Sequence, residues 1–438
     1  MNTTAPQIRL VFATFVAMLV LAALDQTILS TALPAIAQEL HGQDRLSGVF
    51  SAYLMASTVA IPLYGRLADL RGARPLLLLA ITLFGLGSLS CGLAGSMTQL
   101  IAARAVQGAG SGGLMTLTLL GVAALVPPQR RAALQSLLGA SYGLAVMFGP
   151  LFGGVLVEHL SWQWVFFINL PVALAALPVI AKLMPAAAPR ERQPVDLLGA
   201  AVLTAALRSL FRRPAFAAAA ALSVSAGVAL FSAVVFLPMY LQTVLRLTPT
   251  ASAWHLFPLT AGITLAAIGS ARWLRAHGRL REVALAACAL MVLGFAALVL
   301  VFHGAPDRAS ALSACLGPLG MGIGMLFPII TVVSQRAAPP QHLGLATSTP
   351  IMLRALGGAV GVSALGAMLA QDMATRLGTT VNPGRAAAQA MGLTHEAYAG
   401  AFAGAAQPLY AAVAGISVLA LLAAWVLPTR TPAPATAQ

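Results

Sequence analysis

The sequence predicts an all-α polytopic membrane protein of twelve spans arranged as two six-helix bundles. Three observations carry that prediction. Hydrophobic residues make up 59% of the 438 residues and Asp, Glu, Lys and Arg together only 8%, about a third of the charged share of a soluble domain. Apolar stretches long enough to cross roughly 30 Å of hydrocarbon recur twelve times. The basic residues between them fall mostly on alternate connecting segments, the pattern that sets orientation in a bilayer.

The first stretch, about 10–33, follows a short leader from Met1 to Arg9 without a convincing signal-peptidase site, so it reads as a retained signal-anchor helix. Further spans are expected at about 47–65, 75–95, 99–125, 133–157 and 163–184, which makes residues 1–184 an N-terminal six-helix bundle. Residues 185–213 form a linker rich in basic residues. Within it the uncharged part of Asp196–Leu207 covers 11 residues, about 17 Å as a helix, too short to cross. It is expected to lie as a short helix on the inner surface. The second bundle, 214–438, has spans at about 215–242, 250–271, 282–303, 309–333, 344–369 and 408–428. Before the last of these, 371–407 is too polar to span and is placed outside as one or two short helices. With both termini cytoplasmic, 18 of the 25 basic residues fall on inner segments and five on outer ones, while Arg104 and Arg354 lie inside spans.

The net charge of +14 belongs to this topology and gives no reason to expect a nucleic-acid partner. Cys91, Cys288 and Cys315 stand in apolar stretches without metal-ligand or disulfide spacing. No GxxxxGK[ST] phosphate loop, paired catalytic carboxylates or His/Cys cluster is present, so the reading is of a non-enzyme without cofactor or metal.

Asp25 is the one carboxylate placed well inside a span. An acid at a helix centre costs roughly 3 kcal/mol on lenient scales, which is tolerated where the group faces a wet cavity and exchanges protons or cations. Asp25 lies about 8 residues from the outer face and Arg104 about 5 residues into a span entering from outside, so both sit on the order of 10 Å below the outer surface. A carboxylate held between desolvation and a neighbouring cation suits proton exchange. The alternative is an ion pair that only fixes helix packing.

The two halves also echo each other. Gly65-Arg-Leu-Ala-Asp69-Leu-Arg71-Gly72-Ala-Arg74 has a weak counterpart 206 residues later, where Arg275 replaces Asp69 in Ala271-Arg272-Trp-Leu-Arg275-Ala-His277-Gly278. Such repeats are common in secondary transporters, with the substrate site between the halves. Further motifs follow in order: Leu24-Asp25-Gln26-Thr27-Ile28 through Pro34, Arg104-Ala-Val-Gln107-Gly108-Ala-Gly110, Gly143 to Gly154 with Gly149-Pro150 and Gly153, Trp162 through Asn169 to Pro171, Leu237-Pro238-Met-Tyr240-Leu-Gln242, and Arg354 to Gly361. Together they resemble the major facilitator superfamily, specifically its fourteen-helix drug:proton antiporters, over nearly the whole chain. The chain departs from that family in the middle, where most of the two extra helices between the halves is missing.

The resemblance implies the major facilitator fold. It also implies a proton-coupled antiporter that exports small amphipathic drug-like compounds by alternating access, driven by the proton gradient, in a bacterial inner membrane and as a monomer. It makes Asp25 the coupling carboxylate with Arg104 as its modulator, and Gly143, Gly149, Pro150, Gly153 and Gly154 an antiporter helix. Gly65, Asp69, Arg71, Gly72 and Arg74 form a tight inner turn that favours one conformational state, or serves topology alone. Tyr53, Met115, Tyr142, Met147, Phe236, Tyr240, Trp254, Met325 and Arg354 are candidate cavity liners, since Met and aromatic surfaces suit varied ligands; for Arg354 a structural role is equally in view. Export of an endogenous metabolite or lipid-like molecule, and a decayed or repurposed membrane protein, remain as alternatives.

The expected orientation is checked with a membrane-impermeant thiol reagent. Cysteines introduced at Arg71 and Arg279 should label from the cytoplasmic side only, and one at Arg45 from the outside only. Labelling of positions 71 and 279 from opposite sides contradicts the topology.

Overall fold

The computed structural model describes residues 5–42, 45–125, 128–185, 208–303, 309–337, 343–379 and 392–429. The chain is helical from end to end of these segments. The first half holds α1 (Ala5–Glu39), α2 (Leu46–Arg71), α3 (Ala73–Gly92), α4 (Met97–Leu125), α5 (Pro128–His159), the single turn α6 (Trp164–Phe167) and α7 (Asn169–Leu183). The second half holds α8 (Pro214–Thr243), α9 (Pro249–His277), α10 (Leu280–His303), α11 (Ala309–Arg336), α12 (Leu343–Leu377) and α13 (His395–Trp425). Among the described residues eleven helices are long and apolar enough to cross a membrane, α6 and α7 counting as one. The 29-residue α4 is of membrane length too.

The chain divides into two compact units. One contains α1–α7 together with Leu241–Trp254, and the other contains the remainder of α8–α13. In the first unit α4 packs along both α2 and α3, and α1 runs along α5. Its apolar core gathers Phe15, Phe84, Leu114 and Ile180, all fully buried. In the second unit α10 packs against α11 and α13, and an aromatic stack fills its core. There Tyr240 meets Phe302 edge-on with centroids 4.5 Å apart, and Phe302 lies flat on Tyr410 at 5.4 Å.

Helix association in a bilayer depends on close backbone approach, because burying apolar surface gains little where the solvent is itself apolar. Both units meet this need with the same device. On α4 a Cβ added at Gly108 or Gly112 would overlap the carbonyl oxygens of Tyr53 and Ser57 on α2. On α11 a Cβ at Gly320 or Gly324 would overlap the carbonyl oxygens of Leu259 and Ile263 on α9. Tyr53 and Leu259 stand 206 residues apart, as do Ser57 and Ile263, the same offset as the sequence repeat. The echo is therefore a repeated packing seam.

The inner turn of the first unit is closed by Gly72, whose φ of 79° lies in the left-handed region that favours glycine. The N–H of Gly72 donates to Ala68 O at 2.9 Å, ending α2, and Arg74 donates from Nη2 to Ala181 O, tying α3 to the end of α7. Arg71 is exposed.

One expectation needs correction. The outer segment foreseen over 371–407 is narrower, because α12 continues to Leu377 and α13 begins at His395 and not near 408. Of its described polar residues, Asp372 and Arg376 lie on the last turns of α12 and pair at 3.0 Å. The short surface helix expected at 196–207 lies outside the described residues.

Filling either seam should destabilise the fold in the same way. Gly112→Leu and Gly324→Leu are each expected to cost about 1–3 kcal/mol by overpacking, read as a lowered melting temperature of the detergent-purified protein. Gly415→Ala, whose new Cβ meets nothing within 4 Å, should stay within about 0.5 kcal/mol of wild type. A wild-type melting curve for both leucine variants contradicts the seams.

Candidate functional site

The first unit buries one complete charge pair. Arg104 Nη1 on α4 donates to Asp25 Oδ2 on α1 at 2.6 Å, and both side chains have 0% exposure. The pairing joins α1 and α4, which touch. One turn further along α4, Gln107 lies on the same face as Arg104. Its Oε1 accepts from Arg104 Nη1 at 2.6 Å while its Nε2 donates to Asp25 Oδ1 at 2.7 Å. Only one orientation of that amide satisfies both contacts.

Three further residues complete the network. Asn169, the first residue of α7, donates from Nδ2 to Asp25 Oδ1 at 3.2 Å and to Ser88 Oγ at 3.2 Å. Ser88, on α3, also accepts from Gln107 Nε2 at 2.8 Å. The Arg104 guanidinium stacks on the Tyr53 ring of α2, 4.0 Å from its centroid, and the Tyr53 hydroxyl donates to Ser111 Oγ at 2.6 Å. Five membrane helices thus converge on one carboxylate that accepts from three donors, the contact set of an ionised acid. Arg104 Nη2 is buried with no hydrogen-bond partner, so the desolvation of the guanidinium is incompletely offset.

On its other face α1 meets the glycines of α5. A Cβ at Gly149 would overlap Thr27 Oγ1, and one at Gly153 would overlap Ile28 O. Thr31 Oγ1 donates to Pro150 O at 3.3 Å, so that proline's neighbourhood is tied to α1 nearly two turns beyond Asp25. Gly154 faces Pro249 and Thr250, and Gly143 is half-buried.

The remaining candidates scatter. Asp25 was expected to face a wet cavity and is instead 1% exposed, sealed by its own donors. Tyr53, Phe236 and Tyr240 are buried at 0%, 4% and 2%; Tyr53 backs the ion pair and Tyr240 belongs to the aromatic stack. Met115 and Tyr142 pack partly buried against the first core, and Met147 is half-buried. Trp254 is exposed, Met325 borders a groove in the second unit, and Arg354 is half-buried with its guanidinium 4.5 Å from the centre of the Phe327 ring. Of the inner-turn residues, Gly65 lies 3.9 Å by its would-be Cβ from Thr116, and the Asp69 side chain is outside the described atoms. No group of three or more His, Cys, Asp or Glu able to hold a metal occurs among the described residues.

Comparison with known proteins adds to this geometry. The profile described as Major Facilitator Superfamily matches residues 15–362. An uncharacterised MFS-type transporter of Mycobacterium tuberculosis is 30% identical over 423 residues, which cover 86% of this chain and 61% of that protein. The chain therefore spans about three fifths of the length of that relative. Multidrug resistance protein 3 of Bacillus subtilis is 26% identical over 454 residues, 91% of this chain and 88% of that one. In fold, the chain is similar to the crystal structure of a bacterial homologue of the human lysosomal transporter Spinster, with a TM-score of 0.76, 16% identity and coverage of 98% and 100%.

Breaking the pair from one side should be worse than removing it. Asp25→Asn or Arg104→Gln alone leaves an uncompensated buried charge and should cost about 3–5 kcal/mol, seen as loss of thermal stability. The double variant should lose clearly less than the sum. Additive losses contradict direct coupling of the two charges.

Proposed function

From the premise that the chain belongs to the major facilitator superfamily, and so is a multi-pass membrane transporter and not an enzyme, we propose that it is a proton-coupled antiporter. It exports small amphipathic, drug-like molecules from a bacterial cell across the inner membrane by alternating access. The observation that carries this reading is the sealed Asp25–Arg104 pair at 2.6 Å.

A purely structural role does not account for that pair well. Buried ion pairs are commonly no better for stability than apolar packing of the same volume, and here one guanidinium nitrogen remains unsatisfied. A site that must exchange its charge state has reason to keep both groups. When Asp25 takes a proton, the carboxyl loses the attraction of Arg104, whose guanidinium keeps Gln107 Oε1 and the Tyr53 ring. The contact between α1 and α4 then loosens. When α1 and α4 close again, the three donors refill the carboxylate and the proton leaves. Because α1 also packs by close approach on α5, a shift of α1 carries α5 with it. A single deep carboxylate carries one proton per cycle.

The substrate class rests on the names of relatives such as the Bacillus subtilis multidrug resistance protein, together with the chemistry of the site. With its one deep acid already neutralised by Arg104, the chain suits neutral or singly charged amphiphiles better than polyvalent cations.

Substrate-triggered proton release from the detergent-purified protein tests the proposal. Adding tetraphenylphosphonium or a panel of neutral drug-like compounds to wild type should acidify a weakly buffered solution, and Asp25→Asn should bind without releasing protons. Binding without release in either form contradicts antiport. Absence of binding across the panel in both forms points to the non-transporting alternative.

A further inference from the structure

The second unit contains a groove that the Asp25 site does not use. It lies between α9, α10 and α11, has a volume of about 710 Å³, and is bordered by Leu265, Gly269, Trp273, Val283, Met321 and Met325. That volume is in the range of sites that hold a small ligand or a hydrocarbon chain. Its walls are almost wholly apolar. Leu265 and Met321 are exposed at 65% and 46%, so the groove opens sideways and not into the packed core. Along α9 it runs from Gly262 to Trp273, which is about 16 Å at 1.5 Å per residue. This is close to half of a roughly 30 Å hydrocarbon layer, the depth of one leaflet.

The end of α9 and the turn after it are basic in sequence: Arg272, Arg275, Arg279 and Arg281 fall within ten residues, with Glu282 the one acid beside them. Arg281 donates from Nε to Leu427 O at 2.7 Å. Glu282 borders the groove and is held by Arg279 at 3.2 Å, so its charge is compensated. Exposed Arg272 stands three residues after Gly269 and therefore on the same helix face. Trp273 stacks on His277 at this end, with centroids 4.7 Å apart, and tryptophan is enriched at the level of the headgroups. An apolar channel one leaflet deep under a net-positive rim has the chemistry of an anionic lipid.

The geometry points to a binding site for an anionic phospholipid of the cytoplasmic leaflet, its acyl chain in the groove between α9, α10 and α11 and its phosphate beside Arg272 and Arg279. Basic pockets between spans on the cytoplasmic side bind such headgroups by charge attraction while the tails satisfy the apolar wall. The assignment of leaflet rests on the topology in which this basic turn is cytoplasmic. The binding itself depends neither on that topology nor on proton antiport.

Gly269 provides a clean test, because a Cβ built there meets nothing within 4 Å; a larger side chain enters the groove and not a neighbouring helix. The full-length protein, purified in detergent, is offered equal amounts of dioleoyl phosphatidylglycerol and dioleoyl phosphatidylcholine, and the lipids retained are counted by native mass spectrometry. Wild type should retain phosphatidylglycerol several-fold over phosphatidylcholine. Arg272→Gln should reduce that preference about fivefold while phosphatidylcholine retention stays unchanged. Gly269→Leu, with a melting temperature like that of wild type, should lose the bound lipid. Equal retention of the two lipids by wild type, or an unchanged preference in both variants, overturns the proposal. Displacement of the lipid by tetraphenylphosphonium at lower concentration than by phosphatidylglycerol also overturns it, since the groove is then a site for cations gathered by Glu282.

Discussion

The contact between Asp25 and Arg104 sets the terms for the rest of the first unit. A carboxylate and a guanidinium taken out of water each carry a desolvation penalty of several kcal/mol, and their mutual attraction offsets it only if the remaining polar atoms are also satisfied. The protein meets most of that demand with Gln107, Asn169 and Ser88, drawn from three different helices, and leaves Arg104 Nη2 without a hydrogen-bond partner. The aromatic face of Tyr53 takes the side of the guanidinium that no oxygen reaches. Each of these contacts fixes a helix, so the ion pair and the bundle specify one another. Helix α4 supplies two members of this network, Arg104 and Gln107.

Such a network needs backbones close together, and the small residues supply that. Gly108 and Gly112 bring α4 onto α2, which places Tyr53 under Arg104. Gly149 and Gly153 bring α5 onto α1 just beyond Asp25. The helix that carries the acid is thus held on one side by a contact that depends on charge and on the other by one that depends on shape. A change of protonation acts on the first and leaves the second intact, so α1 and α5 can move as one body. The same glycine seam recurs at the corresponding place in the second unit, between α9 and α11.

How much of this was legible in the sequence follows from the strength of each signal against an apolar background. Asp25 and Arg104 stood out because a charge in a span is rare and expensive, and a count of residues from the membrane surface put them at one depth. Gln107, Asn169 and Ser88 did not stand out as site residues. They are uncharged, each lies in a stretch that reads as ordinary span, and only the fold shows that α3, α4 and α7 meet. Gln107 offered one overlooked hint, its position one turn from Arg104. Tyr53 was picked out for its chemistry and misplaced, since an aromatic side chain in a span suits a cavity wall or a cation's underside equally. The ends of α12 and α13 were set too short because their outer turns are polar; in a membrane helix, polarity marks the end of the hydrocarbon layer and not the end of the helix. The groove on the second unit was invisible for a related reason. Its lining residues are ordinary apolar ones, and its rim reads from sequence as a topology signal.

The most direct test of the central claim, that Asp25 exchanges an ion pair for a proton, is infrared difference spectroscopy of the purified protein in lipid. On acidification wild type should develop the C=O stretch of a protonated buried carboxyl. Substrate should remove that band, and Asp25→Asn should lack it under all conditions. A band that persists in Asp25→Asn, or a wild-type spectrum in which no such band appears or responds to substrate, contradicts the account.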